Sequence, residues 1–534
     1  MDRPYKALKG FLSDDERIVF FLVLIINIAY LFHTRFYPSM DGPAHLYNSN
    51  LLKHLVLNND FISEFYQINS FPVPNWTSHF ILSFFQLFLP GWLSEKMLLM
   101  LYISGMALSF RYLIKVLIPE NLSLSVFIFP FIYSFLFHMG FYNYSLSFIF
   151  LFLTIGFWIK NYEANRPRLY VLTGLLLLGT YFSNILTLAF TGILLGATTL
   201  LFEANTKALG SKSYYRAIFN RIKRLTIASL PSLILVFWFF HSVSFPSSNQ
   251  QYATSELLKW INDVRSLIVY SYIKEEIITE QIFHILLLLY VASFFFNRTT
   301  FTVKSILSRP RQVIAYFPLL LAVVFLFVVP DGSSAGMMSD RLILMVFILV
   351  IILVVSQKLP YSIQSLSSIL IISLHLILLT MHSVSIDELN RDASTIHKAS
   401  RHMEENSIIL PVNLSDHWLE NHFSNYLGID KPLVILENYE VQVGWFPVQR
   451  NPMAPKILLN DKAKVGALEW YQSDHTESRP IDYIFLYGNI SKKEEDKWKE
   501  LNEVISSNFT LKYQSENNYV QLFKRNSQIL GATP

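Results

Sequence analysis

Two side chains that could exchange protons with a substrate lie four residues apart near the start of the chain. Asp41 and His45 belong to the stretch 39–45, which reads SMDGPAH. The Gly-Pro pair after Asp41 interrupts helical structure, so we expect Asp41 on a turn and a helix that restarts near Ala44. A carboxylate and an imidazole at this spacing can form an acid–base pair. The structural alternative is a helix cap followed by an interfacial histidine.

Further polar side chains interrupt apolar sequence: His79, His138, Asn143 and Arg341. An isolated charge in the hydrocarbon region costs at least ~2.5 kcal/mol, so such groups must be paired, hydrated or functional. Each has a structural alternative. The histidines suit an interfacial position or a hydrogen bond to backbone. Asn143 suits a helix cap or an interhelical hydrogen bond, and Arg341 suits an anchor that reaches the headgroups.

The composition indicates a membrane protein. Of 534 residues, 52% are hydrophobic and 15% are charged, whereas a soluble protein carries about a quarter charged residues. Long apolar runs fill residues 18–382, and residues 386–534 resemble ordinary soluble sequence. We therefore predict a mainly α, polytopic transmembrane helix bundle with a C-terminal soluble α/β domain.

The charge and cysteine content exclude several classes of function. The net charge of +4 is modest, so no nucleic-acid partner is expected. The chain has no cysteine, which excludes disulfides, thiol nucleophiles and thiolate metal sites.

About 11 to 12 membrane spans are expected from apolar stretches that approach the length needed to cross about 30 Å of hydrocarbon. These stretches are 18–32, 96–117, 122–137, 144–159, 169–182, 185–202, 225–240, 282–296, 315–329, 342–355 and 363–381. The stretch 76–89 is also apolar but short, and we interpret it as a re-entrant or surface-lying helix. A full crossing with a missed partner elsewhere is the alternative.

Basic loops predict the orientation of these spans. Residues 204–224 contain six basic residues and no acid, and the 298–311 loop is also basic. Both should be cytoplasmic, which puts the N-terminus inside and the C-terminal domain outside. The first apolar run lacks a small-residue cleavage site, so we expect it to remain as a signal anchor. The absence of cysteine and of an organellar signal favours a bacterial inner membrane.

The tail contains alternating strand and helix patterns. Strands are predicted at 408–412, 433–436 and 483–487, helices at 416–426 and 492–505, and a hairpin at 509–523. No phosphate loop, paired metal ligands or nucleophile elbow occurs there, so we expect a lid or scaffold more than a second catalytic centre. The predicted domains are a membrane module, 1–385, with outer loops 34–75 and 241–281, and an extracytoplasmic α/β domain, 386–534.

This layout resembles the GT-C superfamily of membrane glycosyltransferases. Asp41 stands where that superfamily has its acidic first-loop motif, and the stretch PVPNW at 72–76 resembles the Pro-rich entry to the next helix. The turn at 183–184 and the long loop 241–281 resemble later outer elements. Gly42 replaces the usual second acid, so no acidic pair supports a metal site. No cofactor is expected, and a divalent metal is the alternative left open.

The resemblance implies an inverting transfer of a sugar from a polyprenyl-phosphate-linked donor to a glycan, lipid or protein acceptor on the outer face. Asp41 would be the catalytic base, and His45, His79, His138, Asn143 and Arg341 would bind substrate. Among these, Arg341 with His45 or His79 would contact the lipid phosphate.

Two other functions remain open. A transporter or flippase would need ionisable residues near the middle of the membrane and interrupted helices in related halves. A non-catalytic scaffold of the same fold would be consistent with the glycine at position 42.

Overall fold

The computed structural model describes residues 2–207, 210–243, 249–297, 308–332, 336–460, 464–468, 470 and 475–526. Its contacts divide the chain into two compact units. The helical unit comprises residues 1–31, 100–138 and 142–383, and the mixed unit comprises residues 32–99, 139–141 and 384–534. The stretch 32–99, which includes Asp41, thus shares a unit with the tail. The predicted domains, a membrane module at 1–385 and an extracytoplasmic domain at 386–534, stay a prediction.

The described part of the helical unit consists of helices. They are α1 (Asp2–Leu31), α5 (Gly91–Leu117, from residue 100), α6 (Phe129–Ile132), α7 (Phe135–His138), α8 (Tyr142–Lys160), α9 (Pro167–Ser183), α10 (Ile185–Thr206), α11 (Lys212–Ser242), α12 (Thr254–Asn262), α13 (Tyr272–Asn297), α14 (Pro310–Val313), α15 (Tyr316–Val328), α16 (Met338–Val355) and α17 (Tyr361–Ala399, to residue 383), with 3₁₀ turns at Pro119–Ile128 and Arg265–Leu267.

Within the described residues, eight helical segments are long and apolar enough to cross a membrane. They are Gly91–Leu117, Tyr142–Lys160, Ile185–Thr206, Lys212–Ser242, Tyr272–Phe296, Pro310–Val328, Met338–Val355 and Tyr361–His402. The predicted mainly α, polytopic membrane architecture is confirmed. The orientation of the spans stays a prediction. Two parts of the predicted loops lie outside the described residues: Arg298 and Lys304 of the basic 298–311 loop, and residues 244–248 of the 241–281 loop.

The apolar stretch 122–137 does not form the single spanning helix that its hydrophobicity predicts. The chain forms a 3₁₀ segment, Pro119–Ile128, and then the two short helices α6 and α7. Pro130 lacks a backbone N–H, and Tyr133 has non-helical angles of φ −97° and ψ 47°. The prediction of one continuous helix is therefore wrong, because hydrophobicity alone does not report these backbone breaks.

The mixed unit combines short helices with nine described strands. Its helices are α2 (Gly42–Val56), α3 (Asp60–Phe65), α4 (Thr77–Gln86), α18 (Glu440–Val443) and α19 (Lys499–Asn508), and its strands are β1 (Tyr66–Ile68), β2 (Ser407–Leu414), β3 (Leu433–Ile435), β4 (Val448–Arg450), β5 (Lys456–Leu458), β6 (Ser478–Pro480), β7 (Tyr483–Gly488), β8 (Phe509–Gln514) and β9 (Val520–Arg525). Helix α4 has 10 residues and is about 15 Å long. This length is half the thickness of the hydrocarbon layer, so α4 is too short to cross it. The prediction that 76–89 is re-entrant or lies on the membrane surface stays a prediction.

Five strands form the main sheet, in the order β3-β2-β7-β9-β8. Strand β2 runs parallel to β3 and β7, whereas β9 is antiparallel to both β7 and β8. The predicted strands and the closing hairpin are confirmed. The predicted helix at 416–426 is instead two 3₁₀ turns, Trp418–Glu420 and Phe423–Gly428, and the one at 492–505 begins as an α-helix only at Lys499.

Helix α2 is attached to the first strand of this sheet through Tyr47. The Tyr47 hydroxyl donates to the Leu433 carbonyl at 2.8 Å and accepts from the Ile435 N–H at 3.0 Å. Gly428 allows this approach, because a Cβ at that position would lie 2.4 Å from the Tyr47 ring. The N-terminal end of α2 is thereby fixed close to the segment that follows β3.

Candidate functional site

Asp41 occupies the N-cap position of α2, but its carboxylate does not cap that helix. The residue is only 6% exposed, and its side chain makes no capping hydrogen bond to the described backbone of α2. Its backbone N–H donates to the Met139 carbonyl at 3.0 Å. The turn and the helical restart after it are as predicted. The capping alternative does not account for the carboxylate.

Gly140 makes room for this turn. It has a positive φ of 86°, and a Cβ there would lie 2.5 Å from the Gly42 nitrogen and 2.8 Å from the Asp41 nitrogen. A residue with a side chain would both strain its own backbone and displace Asp41.

Two side chains of the mixed unit face the Asp41 carboxylate. Tyr439 hydrogen-bonds it, and His422 Nε2 lies 3.6 Å from its Oδ1. Burial raises the pKa of Asp41, although His422, His45 and Tyr439 oppose this shift by stabilising the ionised form. Asp41 is thus a more basic carboxylate than one in water.

His422 is itself held in position by Glu437. Its Nδ1 lies 2.7 Å from the Glu437 Oε1, and its ring packs against Tyr439 with centroids 4.6 Å apart. Burial opposes protonation, but Glu437 and then Asp41 raise the pKa of His422 to about 9. The ring is therefore an imidazolium cation at neutral pH, next to Asp41.

Glu440 binds two of the predicted histidines at once. His45 Nδ1 lies 2.7 Å from Oε1 of Glu440, and His79 Nε2 lies 2.7 Å from Oε2. All three residues are buried, with exposures of 3%, 0% and 1% for His45, His79 and Glu440. Burial raises the pKa of Glu440, but His79 and His45 outweigh it and lower the pKa to about 2. One potential ligand atom from each of His45, His79 and Glu440 lies within 4.8 Å of the other two. Among the described residues, these three side chains form a cluster that could hold a metal ion.

The predicted site residues divide between the two units. Asp41, His45 and His79 all lie in the mixed unit, together with the groups just described. His138, Asn143 and Arg341 belong to the helical unit, so the site built here does not include them. Their assignment to substrate binding stays a prediction.

In the helical unit these three side chains have their own surroundings. His138 is buried, and its Nδ1 lies 3.1 Å from the Tyr270 hydroxyl. Arg341 lies in the first turn of α16, with its guanidinium carbon 6.0 Å from the centre of the Tyr144 ring. Asn143 is buried in the first turn of α8.

Sequence reasoning missed His422, Glu437, Tyr439 and Glu440. They follow Asp41 by almost four hundred residues, and no motif connects the two stretches. The usable signal was ENYE at 437–440, two carboxylates directly after a predicted strand. Polar residues at the carboxyl end of a parallel strand are a common place for a binding site.

The groups around Asp41 could remove a proton from a substrate and stabilise a negative charge that forms close by. Asp41 can accept a proton, Tyr439 can orient the carboxylate, and the His422 cation can stabilise negative charge nearby. The Glu440 cluster is a separate group of buried charges in the same unit.

Comparisons with known proteins gave structural neighbours only. No family model and no curated protein matches the chain. Two solved structures of ArnT from Cupriavidus metallidurans align along nearly the whole chain. The one bound to undecaprenyl phosphate has 10% identity and a TM-score of 0.45, and covers 97% of this chain and 99% of its own. The apo form has 11% identity and a TM-score of 0.42, and covers 99% of this chain and 100% of its own.

Proposed function

We propose that the chain is an integral-membrane glycosyltransferase of the GT-C type, with Asp41 as the general base. The observation that carries this proposal is the state of Asp41. Its carboxylate is buried, does not cap its own helix, and is held by Tyr439 and the His422 cation. The eight apolar helical segments support a reaction that involves a membrane lipid.

The proposed reaction is a single inverting displacement. Asp41 takes the proton of an acceptor hydroxyl while that oxygen bonds to the anomeric carbon of the sugar. The bond between this carbon and the phosphate oxygen of the donor breaks, and its electron pair leaves with the lipid phosphate. A raised pKa makes the ionised carboxylate a better proton acceptor than an aqueous aspartate.

The leaving group needs a cation more than an acid, because a phosphate monoester is stable as an anion. His422 can supply that charge, since Glu437 keeps it protonated. The buried Asp41 would then remove the proton of the acceptor, and the half-buried His422 would stabilise the departing phosphate.

The proposed donor is a polyprenyl-phosphate-linked sugar, and the proposed acceptor is a glycan, a lipid or a protein. Both partners would be used at the extracytoplasmic face of a bacterial inner membrane, with the N-terminus in the cytoplasm. The signal-anchor layout and the basic loops of the sequence support this orientation.

A turnover assay tests the proposal. The full chain would be reconstituted in liposomes with undecaprenyl-phosphate-linked sugars and candidate acceptors, and release of undecaprenyl phosphate would be measured. We expect D41N to lower turnover by at least about 100-fold, as loss of a general base does. D60N, at an exposed acid in the first turn of α3, is the matched control and should leave turnover intact. Wild-type turnover in a correctly inserted D41N protein would reject the assignment.

The alternative function is a non-catalytic scaffold, and the burial of Asp41 favours it. An aspartate that is 6% exposed and already hydrogen-bonded could serve only to join α2 to the segment after β3. In that case D41N would lower the thermal stability of the protein, and no donor would be consumed by the wild type.

A further inference from the structure

The two histidines on Glu440 have an arrangement that ordinary ion pairing does not explain well. Each ring directs one nitrogen at a different oxygen of the same carboxylate, both at 2.7 Å. The two rings lie edge to face with centroids 5.0 Å apart. Two protonated rings at this separation, shielded from water, would repel each other.

The second nitrogen of each ring is directed at backbone. His79 Nδ1 lies 3.1 Å from the Asn75 carbonyl oxygen, which can only accept a hydrogen bond, so this nitrogen carries a proton. The Gly140 backbone hydrogen-bonds the His45 ring, so this ring too is held by a backbone contact. Each ring is therefore oriented by a hydrogen bond to backbone as well as by Glu440.

This pattern is the usual outer shell of a metal-bound histidine. A ligating imidazole normally donates its other N–H to a backbone carbonyl or a carboxylate, which fixes the tautomer and leaves a lone pair for the metal. With that tautomer, the two nitrogens that face Glu440 would present lone pairs to a carboxylate. A cation between them resolves the repulsion without two adjacent imidazolium ions.

We propose that His45, His79 and Glu440 bind one divalent zinc-class cation. Two imidazoles and one carboxylate are a known zinc donor set, with the fourth position left to water or another oxygen. Zinc bonds to nitrogen and oxygen of about 2.0–2.2 Å in a tetrahedron separate ligand atoms by about 3.4 Å. The two histidine-to-Glu440 distances of 2.7 Å would therefore lengthen by roughly 0.7 Å on metal binding. The three ligand atoms lie within 4.8 Å of one another, so only small movements are needed.

The ion would join three separate parts of the mixed unit. His45 lies on α2, His79 on α4 and Glu440 at the start of α18. The ligands are 34 and 361 residues apart in sequence, counted from 45 to 79 and from 79 to 440. Binding would stabilise the unit by fixing segments that are distant in the chain. The glycine at position 42 removes the acidic pair that would suggest a metal in the first loop, but this donor set does not use that position.

The test measures metal directly and does not depend on the proposed transferase activity. The full chain, purified in detergent, would be treated with a chelator, exchanged into metal-free buffer and titrated with zinc, with bound metal quantified by mass spectrometry. We expect about one zinc ion per chain and a higher melting temperature in the loaded form. H79N and E440Q should each weaken zinc binding by at least about 100-fold, more than loss of an outer-shell partner does.

H397N is the matched control, since His397 is also buried in the mixed unit and pairs with a single carboxylate, Asp430, at 2.9 Å. It should bind zinc like the wild type. If the ligand variants do not fold, cobalt loading of the wild type gives a second measurement, because four-coordinate nitrogen and oxygen ligation produces intense visible absorption. Zinc retention no greater than background in the wild type, or equal binding by wild type and a folded E440Q, would overturn the proposal.

Discussion

The side-chain amides of Asn48 and Asn438 hydrogen-bond each other in both directions, with both nitrogen-to-oxygen distances at 2.9 Å. Both residues are buried, at 0% and 1% exposure. The pair connects the second turn of α2 to the segment 436–440. The Asp41 and His45 end of α2 is thus held beside Tyr439 and Glu440 by a contact that takes no part in the proposed chemistry.

Replacing Asn48 should therefore destabilise the mixed unit. N48A removes both hydrogen bonds between Asn48 and the buried Asn438 amide, which keeps its contact with Tyr66, and losing a buried hydrogen-bond partner costs about 1–3 kcal/mol. Chemical unfolding followed by tryptophan fluorescence measures the loss. E516A, at an exposed turn residue, is the control and should change the free energy of unfolding by less than about 0.5 kcal/mol. Equal effects of the two variants would contradict the role given to the amide pair.

Gly140 should tolerate alanine worse than another glycine of similar backbone conformation. Gly140 and Gly444 have φ of 86° and 75°, but only the Cβ at position 140 meets backbone, 2.5 Å from the Gly42 nitrogen; at Gly444 no described atom lies within 4 Å. We expect G444A to cost about 1–2 kcal/mol of stability from backbone strain alone. G140A should cost clearly more and also lower turnover, because it displaces Asp41. Similar losses in unfolding free energy would show that the close approach is unimportant.

The His422 cation predicts a loss of stability at alkaline pH. The groups that face it are Glu437, Asp41, Tyr439 and Glu440. Because its pKa is raised from 6.5 to about 9 in the folded state, its contribution is complete below pH 6.5 and is lost as the pH rises through 9. The full difference is roughly 3 kcal/mol. We expect the free energy of unfolding of H422N to depend less on pH between 6.5 and 9.5 than that of the wild type. Parallel plots of unfolding free energy against pH for the two proteins would contradict this.

The orientation can be tested with single cysteines, since the natural chain has none. Ser506 in α19 and Ser213 at the start of α11 are both exposed. If the tail is extracytoplasmic, S506C should react with a membrane-impermeant maleimide in intact cells, and S213C should react only after the cells are lysed. The reverse pattern would place Asp41 and the tail on a side that has no access to an outer-face acceptor.

The sequence predicted those features that depend on local patterns. Long apolar runs identified most helices, short apolar runs identified β2, β3 and β7, and the Gly-Pro pair identified the turn at Asp41. The break at Tyr133 was missed because residues 126–132 are apolar and a proline such as Pro130 can also stand at the start of a helix. The contacts of Asp41 with His422 and of His79 with Glu440 were beyond reach, since they depend on how β3 directs the segment 436–440 towards α2. Only tertiary structure brings residues so distant in sequence together.

Single-turnover kinetics on D41N would test the role of Asp41 most directly, because they separate binding from chemistry. Polyprenyl phosphate binding and sugar transfer would be measured on the same preparation of wild type and variant in liposomes. We predict lipid affinity within a few-fold of wild type and a transfer rate at least about 100-fold lower. An unchanged transfer rate in D41N would contradict the account, as would a loss fully explained by weaker lipid binding.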